Sequence, residues 1–69
     1  PNDYRAYKRL AFLEADKQQR KENRERDYGQ MKAYYDKAKE LYEASGQAAD
    51  TEMNMLDSMM EELREGNWL

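Results

Sequence analysis

The sequence contains no Val and no Ile, and Thr occurs once, at position 51. β-Branched residues are the ones that strands favour, so a sheet has little to be built from. The chain is rich instead in Ala, Glu, Lys, Arg, Gln, Leu and Met, which are strong helix formers. The sequence therefore predicts an all-α fold.

The chain has 69 residues and lacks both Cys and His. Disulfides, thiolate metal sites and His-dependent catalytic triads are excluded on that ground. No Gly-rich phosphate-binding loop is present either. We therefore predict a protein that is not an enzyme, with no cofactor, no metal and no small-molecule substrate.

The first predicted helix begins at Tyr4, with Asn2 or Asp3 as its cap. No residue forces a break before Ala44, and Gly29 is the weakest point in between. Asp27, followed three residues later by Gln30, forms a capping box that would restart a helix there. Residues 3–44 are therefore predicted to form one long helix or two helices that meet near Asp27–Gly29. A heptad register that continues across the junction favours the single long helix.

The second half of the chain predicts an acidic antiparallel helical hairpin over residues 27–66, followed by a tail at 67–69. Gly46 ends its first helix as a left-handed residue, Asp50 caps its second helix over 51–65, and Gly66 ends that helix as Gly46 ends the first. Apolar residues fall on one face of each helix. These predicted core residues are Tyr28, Met31, Tyr35, Ala38, Tyr42, Met53, Leu56, Met60 and Leu63.

Residues 1–26 are predicted to form a basic helical arm. The second helix of the hairpin is too short to cover the first beyond about residue 28 at 1.5 Å per residue, so the arm has no predicted partner within the chain. Its apolar residues spread around much of the helix girth, which is typical of a segment buried on several sides. The candidate partner-binding residues are Tyr4, Tyr7, Leu10, Phe12 and Leu13.

Charge is divided unevenly between the two parts. The arm carries eight Lys and Arg against five Asp and Glu, whereas residues 27–69 carry four against ten. Lys17, Arg20, Lys21 and Arg24 repeat at helical spacing and form a basic stripe that could contact nucleic-acid phosphates or an acidic partner. Acidic residues nearby and the lack of aromatic rings in this stretch favour a solvated face instead.

These features predict a structural or adaptor subunit that binds partner chains or copies of itself within a larger assembly, such as a viral or organellar particle. A chain this short builds a core worth only about 3–5 kcal/mol, and a partner would add to it. The alternatives are an accessory protein that binds nucleic acid through residues 17–24 and a small acidic inhibitor. No membrane span or signal peptide is predicted, which favours an intracellular protein.

Overall fold

A computed structural model describes residues 3–69, and within them the chain forms three α-helices and one short 3₁₀ turn. The helices are α1 (Tyr4–Gln19), α2 (Gly29–Ser45) and α3 (Thr51–Glu65), and the 3₁₀ turn is Asn23–Glu25. The all-α prediction is confirmed. None of these helices is both long enough and apolar enough to cross a bilayer.

The helix that starts at Tyr4 does not continue to Ala44, so the preference for a single long helix is wrong. Asp3 caps α1 by accepting a 3.0 Å hydrogen bond from the backbone N–H of Arg5, while Asn2, the other candidate cap, lies outside the described residues. The α1 helix ends at Gln19, ten residues before Gly29. The break therefore begins well before the predicted junction at Asp27–Gly29.

Side chains at the end of α1 explain the early break. The side-chain oxygen of Gln18 accepts a 3.0 Å bond from the backbone N–H of Asp27, and its nitrogen donates to Glu14 at 2.9 Å. The guanidinium of Arg26 donates to the carbonyl oxygens of Gln19 at 2.8 Å and Lys21 at 3.0 Å. These bonds satisfy backbone groups that the end of a helix leaves free, and they fix the chain reversal.

The predicted ends of the hairpin helices are mostly observed. The carboxylate of Asp27 accepts from the N–H of Gly29 at 2.9 Å, but the cap of α2 is Tyr28, which makes no side-chain cap bond. The predicted capping box of Asp27 and Gln30 is therefore wrong, because the N–H of Asp27 donates to Gln18 instead. Gly46 ends α2 in the left-handed conformation, with φ of 67°. Asp50 caps α3 by accepting from the N–H groups of Glu52 and Met53.

The end of α3 differs from its prediction. Gly66 has a φ of −85°, and the left-handed residue is Asn67, with a φ of 65°. The N–H of Asn67 donates to the carbonyl of Arg64 at 3.1 Å, and the N–H of Trp68 donates to that of Leu63 at 2.9 Å. This pair of bonds is a Schellman motif, in which the left-handed position falls one residue after Gly66.

The α1 helix folds back along α2, so the prediction that residues 1–26 form an arm without a partner in the chain is wrong. The rings of Tyr4 and Tyr42 lie 4.9 Å apart at one end, and Gln18 binds Asp27 at the other, which makes the two helices antiparallel. The described residues span 38 × 23 × 16 Å.

Small residues explain why α1 and α2 pack more closely with each other than either does with α3. Ala11, Ala15 and Ala38 are fully or almost fully buried, and their short side chains let the two backbones approach. Larger side chains of α3, among them Met53, Leu56 and Met60, keep that helix further away. Tyr28, Met31, Tyr35, Ala38, Met53, Leu56 and Met60 are buried in the core, and Tyr42 and Leu63 pack against it partly exposed.

Candidate protein-docking face on the first helix

The side of α1 that points away from α2 carries basic and apolar residues together. We call it the outer face of α1, and its exposed residues are Arg5, Ala6, Arg9, Leu10, Leu13, Asp16, Lys17 and Arg20. A surface helix buries one side and exposes the other to solvent, and the exposed side is normally polar. Two leucines on that side are therefore the feature that requires an explanation.

The five predicted partner-binding residues are divided between the core and the surface. Tyr4 is buried and is therefore not available to another chain as predicted, and Tyr7 is partly buried and packs against the core. Leu10 is 37% exposed and Leu13 is 54% exposed. Phe12 lies between these extremes, partly exposed and packed against the core. Leu10 and Leu13 are therefore the most accessible of the five, while Tyr7 and Phe12 are accessible only in part.

A wide, open depression of about 600 Å³ adjoins this face, where α1 passes the start of α3. Phe12 and Leu13 supply its apolar wall, and Glu52 lines the side that belongs to α3. The other lining residues are Arg5, Ala6, Lys8 and Arg9. An apolar side chain could enter this depression while an acidic group beside it met the arginines.

One side of the depression is fixed by a cluster of Tyr4, Lys8 and Asp50, which we call the first cluster. Asp50 accepts hydrogen bonds from the Tyr4 hydroxyl at 2.7 Å and the Lys8 ammonium at 3.0 Å. Lys8 also lies 2.8 Å from Glu52. These contacts tie the first turns of α1 to the start of α3 and position Phe12 and Leu13.

The contacts of the first cluster change the acidity of its members. The bonds from Tyr4 and Lys8 hold the pKa of Asp50 down to about 2, and the bond to Asp50 raises the pKa of Tyr4. Burial acts to lower the pKa of Lys8, but its bonds to Glu52 and Asp50 outweigh that effect and raise it. All three shifts favour the charge states that form the contacts.

A second cluster of the same composition joins α2 to α3. Asp57 accepts from the Tyr35 hydroxyl at 2.6 Å and from the Lys39 ammonium at 3.0 Å. In each cluster the Tyr and the Lys are four residues apart on one helix, so they lie on the same face. Asp50 and Asp57 are seven residues apart, two turns along α3. Sequence reasoning missed both clusters, although the repeated Tyr-x-x-x-Lys spacing was a visible signal.

The cations on the outer face of α1 differ in whether they already form an ion pair. Arg5 lies 2.9 Å from Asp3, and Arg20 lies 2.8 Å from Asp16. Arg9 and Lys17 form no ion pair within residues 3–69. These two are the cations most available to an acidic partner.

The predicted basic stripe of Lys17, Arg20, Lys21 and Arg24 does not form, because it requires a helix that continues past Gln19. Lys17 lies on α1 and Arg20 at its cap. Lys21 follows the end of α1, and Arg24 belongs to the 3₁₀ turn. The regular spacing in sequence therefore does not become one continuous face.

Comparison of the chain with models of protein families, with curated proteins and with solved structures found no match.

Proposed function

We propose that this protein is a non-enzymatic interaction module that binds a partner protein chain through the outer face of α1. Leu13 and Leu10 would be the apolar anchors, with Phe12 at their side. Arg9 and Lys17 would contact acidic groups at the rim. The protein would serve as an adaptor or spacer subunit in a larger protein assembly.

The observation that carries the proposal is the exposure of Leu13, more than half of whose surface is accessible. It lies one helical turn from Arg9, which forms no ion pair with any residue from 3 to 69. Interfaces commonly place apolar anchors at the centre and charged groups at the rim. A partner with an apolar side chain flanked by carboxylates would complement this face in both respects. Such charges would speed association and set its orientation more than they would add affinity.

A site-specific photo-crosslinking experiment in the native host tests the proposal. A benzoylphenylalanine at position 13 should give one discrete crosslinked protein, and the same probe at position 55 should not. Met55 is the matched control, since it is 52% exposed but lies on α3. Crosslinks of equal pattern from both positions, or none from position 13, would contradict the proposal.

Variants then test the energetic role of the anchor with the purified partner. Leu13→Asp should abolish binding without loss of helicity by circular dichroism, because exposed side chains contribute little to the core. Met55→Asp should leave binding intact. Equal binding by Leu13→Asp and the wild-type protein would rule out this face.

The two alternative functions are less well supported. Binding to nucleic acid through residues 17–24 would use cations that do not share one helix face. Such binding should weaken steeply as salt rises, whereas docking through Leu10 and Leu13 should respond little. For the acidic inhibitor, no feature of α2 or α3 favours a particular basic target.

A further inference from the structure

A second, smaller cleft of about 220 Å³ lies at the end of the bundle where α1 and α3 finish and α2 begins. It is well separated along the bundle from the depression beside Arg5. Residues from all three helices and from the tail contribute to it. The lining residues are Gln19, Tyr28, Met31, Met59, Glu62, Leu63, Gly66 and Trp68.

Trp68 forms one aromatic wall of this cleft and is held in place by the backbone. The backbone N–H of Trp68 donates to the carbonyl oxygen of Leu63 in the Schellman motif. Its ring meets that of Tyr28 edge to face, with centroids 5.4 Å apart and planes at 76°. Trp68 as a whole is 36% exposed, so part of its surface is free to contact a ligand. A Cβ at position 66 would come within 3.2 Å of the ring, so the glycine permits this close approach.

Glu62 supplies an uncompensated negative charge at the same cleft. It takes part in no ion pair within residues 3–69, and Arg64, the cation of the same helix turn, lies 3.5 Å from Glu61 instead. The carboxyl end of a helix also favours a positive charge. Arg26, on the connecting segment, already donates to the carbonyls of Gln19 and Lys21.

We propose that this cleft binds a small quaternary ammonium compound of the choline type. A cation over the face of a Trp ring is attracted by the ring quadrupole, and Trp is the most effective ring for this. The methyl groups of such a ligand would contact Met59 and Leu63, while its charge would lie near Glu62. A primary ammonium would fit less well, because it is more strongly hydrated and has no methyl groups to place against Met59 and Leu63.

The size of the cleft agrees with that ligand class. Sites for drug-sized molecules usually measure about 300–1,000 Å³, so a cleft of about 220 Å³ suits a headgroup. The ligand would be bound and not transformed, in line with a non-enzymatic protein. This proposal uses a surface apart from the outer face of α1 and goes beyond the function proposed above.

Trp68 is the only Trp in the sequence, so its fluorescence reports directly on the cleft. Titration of the full chain with choline chloride should give a saturable change, with a Kd on the order of millimolar. The neutral isostere 3,3-dimethylbutan-1-ol should bind about two- to five-fold more weakly, since it lacks the charge. Sodium chloride at equal ionic strength should give no saturable change.

Two charge variants show whether Glu62 is responsible for the preference. Glu62→Gln should weaken choline binding about two- to five-fold and leave binding of the isostere unchanged. Glu43→Gln, which makes the same charge change on an exposed α2 residue outside the cleft, should leave both unchanged. A second readout, the NMR shifts of the Met31 and Met59 methyl groups, should saturate with choline in the wild-type protein and not in Trp68→Leu.

Three results would overturn the proposal. One is a choline titration that does not saturate. Another is an isostere that binds as tightly as choline, which would show that charge plays no part. The third is an equal loss of binding in Glu43→Gln and Glu62→Gln, which would assign the effect to net charge and not to the cleft.

Discussion

The hydroxyl of Tyr4 lies 2.7 Å from a carboxylate oxygen of Asp50, which is 46 residues further along the chain. Asp50 also caps α3, so one carboxylate both starts that helix and attaches α1 to it. The equivalent contact between Tyr35 and Asp57 attaches α2 to α3. The position of α3 therefore depends on two aspartates in addition to its apolar face.

Replacement of Asp50 should destabilise the protein more than an ordinary surface change. Asp50→Ala removes a helix cap together with the acceptor for Tyr4 and Lys8, and we expect Tm to fall by roughly 4–8 °C or more. Thermal denaturation followed by circular dichroism measures this. Asp36→Ala, which removes an exposed pair with Lys32, is the control and should change Tm far less. Equal shifts in the two variants would show that the first cluster does not stabilise the fold.

The lowered pKa values of the aspartates predict a loss of stability in acid. The pKa of Asp50 is about 2 in the folded state, against about 3.9 for an unperturbed Asp. A carboxyl group with a depressed folded pKa contributes stability that is present above pH 4 and is lost as pH falls towards 2. The pKa of Asp57 is also lowered: burial raises it, but the bonds from Tyr35 and Lys39 outweigh that effect.

Urea denaturation at pH 7, 4 and 2.5 should show the midpoint falling most between the last two. Asp50→Asn should have a lower midpoint at pH 7 and a smaller drop between pH 4 and pH 2.5. The pKa of Asp3 is also about 2, because of its bonds with Arg5. Asp3 and Asp57 should account for the rest of the fall in the midpoint at low pH. If the urea midpoint of Asp50→Asn fell between pH 4 and pH 2.5 by as much as that of the wild-type protein, Asp50 would not titrate in this range.

The second cluster predicts a late tyrosine titration at high pH. Burial and the bond to Asp57 raise the pKa of Tyr35 to about 12, whereas an unperturbed Tyr titrates near 10. A raised folded pKa means that the stability contribution is complete below pH 10 and is lost as pH rises through 12. Absorbance at the phenolate band should show a late step that becomes smaller in Tyr35→Phe, and the remainder should belong to Tyr4, whose pKa is also raised by its bond to an aspartate. Tyr34→Phe should retain the full late step, since the Tyr34 hydroxyl makes no hydrogen bond to the Asp57 carboxylate.

Close packing of α1 on α2 predicts that Ala11 does not tolerate a larger side chain. Ala11 is fully buried, so Ala11→Leu should overpack the interface and lower the free energy of unfolding by about 1–3 kcal/mol. Urea denaturation provides the measurement. Ala33→Leu is the matched control, because Ala33 is exposed on α2 and should change stability by less than about 0.5 kcal/mol. If the two variants were equally stable, α1 would not be packed as described.

We expect the buried side chain of Gln18 to stabilise the chain reversal between α1 and α2. It is 3% exposed, and Gln18→Leu would leave the backbone N–H of Asp27 without its acceptor. The expected cost is about 0.5–1.5 kcal/mol of unfolding free energy, the usual contribution of one hydrogen bond, because Asp27 is itself exposed and water can reach its N–H. Hydrogen exchange should also quicken at Asp27. Gln30→Leu, at an exposed position, should show neither change, and a silent Gln18→Leu would mean that other contacts fix the turn.

Local signals account for what sequence reasoning predicted correctly. The absence of Val and Ile indicated helices. Gly46 marked the end of α2 and Asp50 marked the start of α3, because a left-handed glycine and a capping aspartate act on neighbouring backbone groups. The regular spacing of Met53, Leu56 and Met60 identified the buried side of α3 for the same reason. All of these depend on residues within a few positions of each other.

The sequence by itself therefore determined the helical class, the hairpin and its apolar faces. Only the tertiary structure decided that residues 4–19 pack against their own chain and that the helix stops at Gln19. Burial of Ala11 and Ala15 becomes favourable only when a second helix with small residues comes close, and the bonds of Gln18 and Tyr4 reach partners 9 and 46 residues away. Contacts of that kind exist only once the chain has folded, so spacing along one helix could not reveal them.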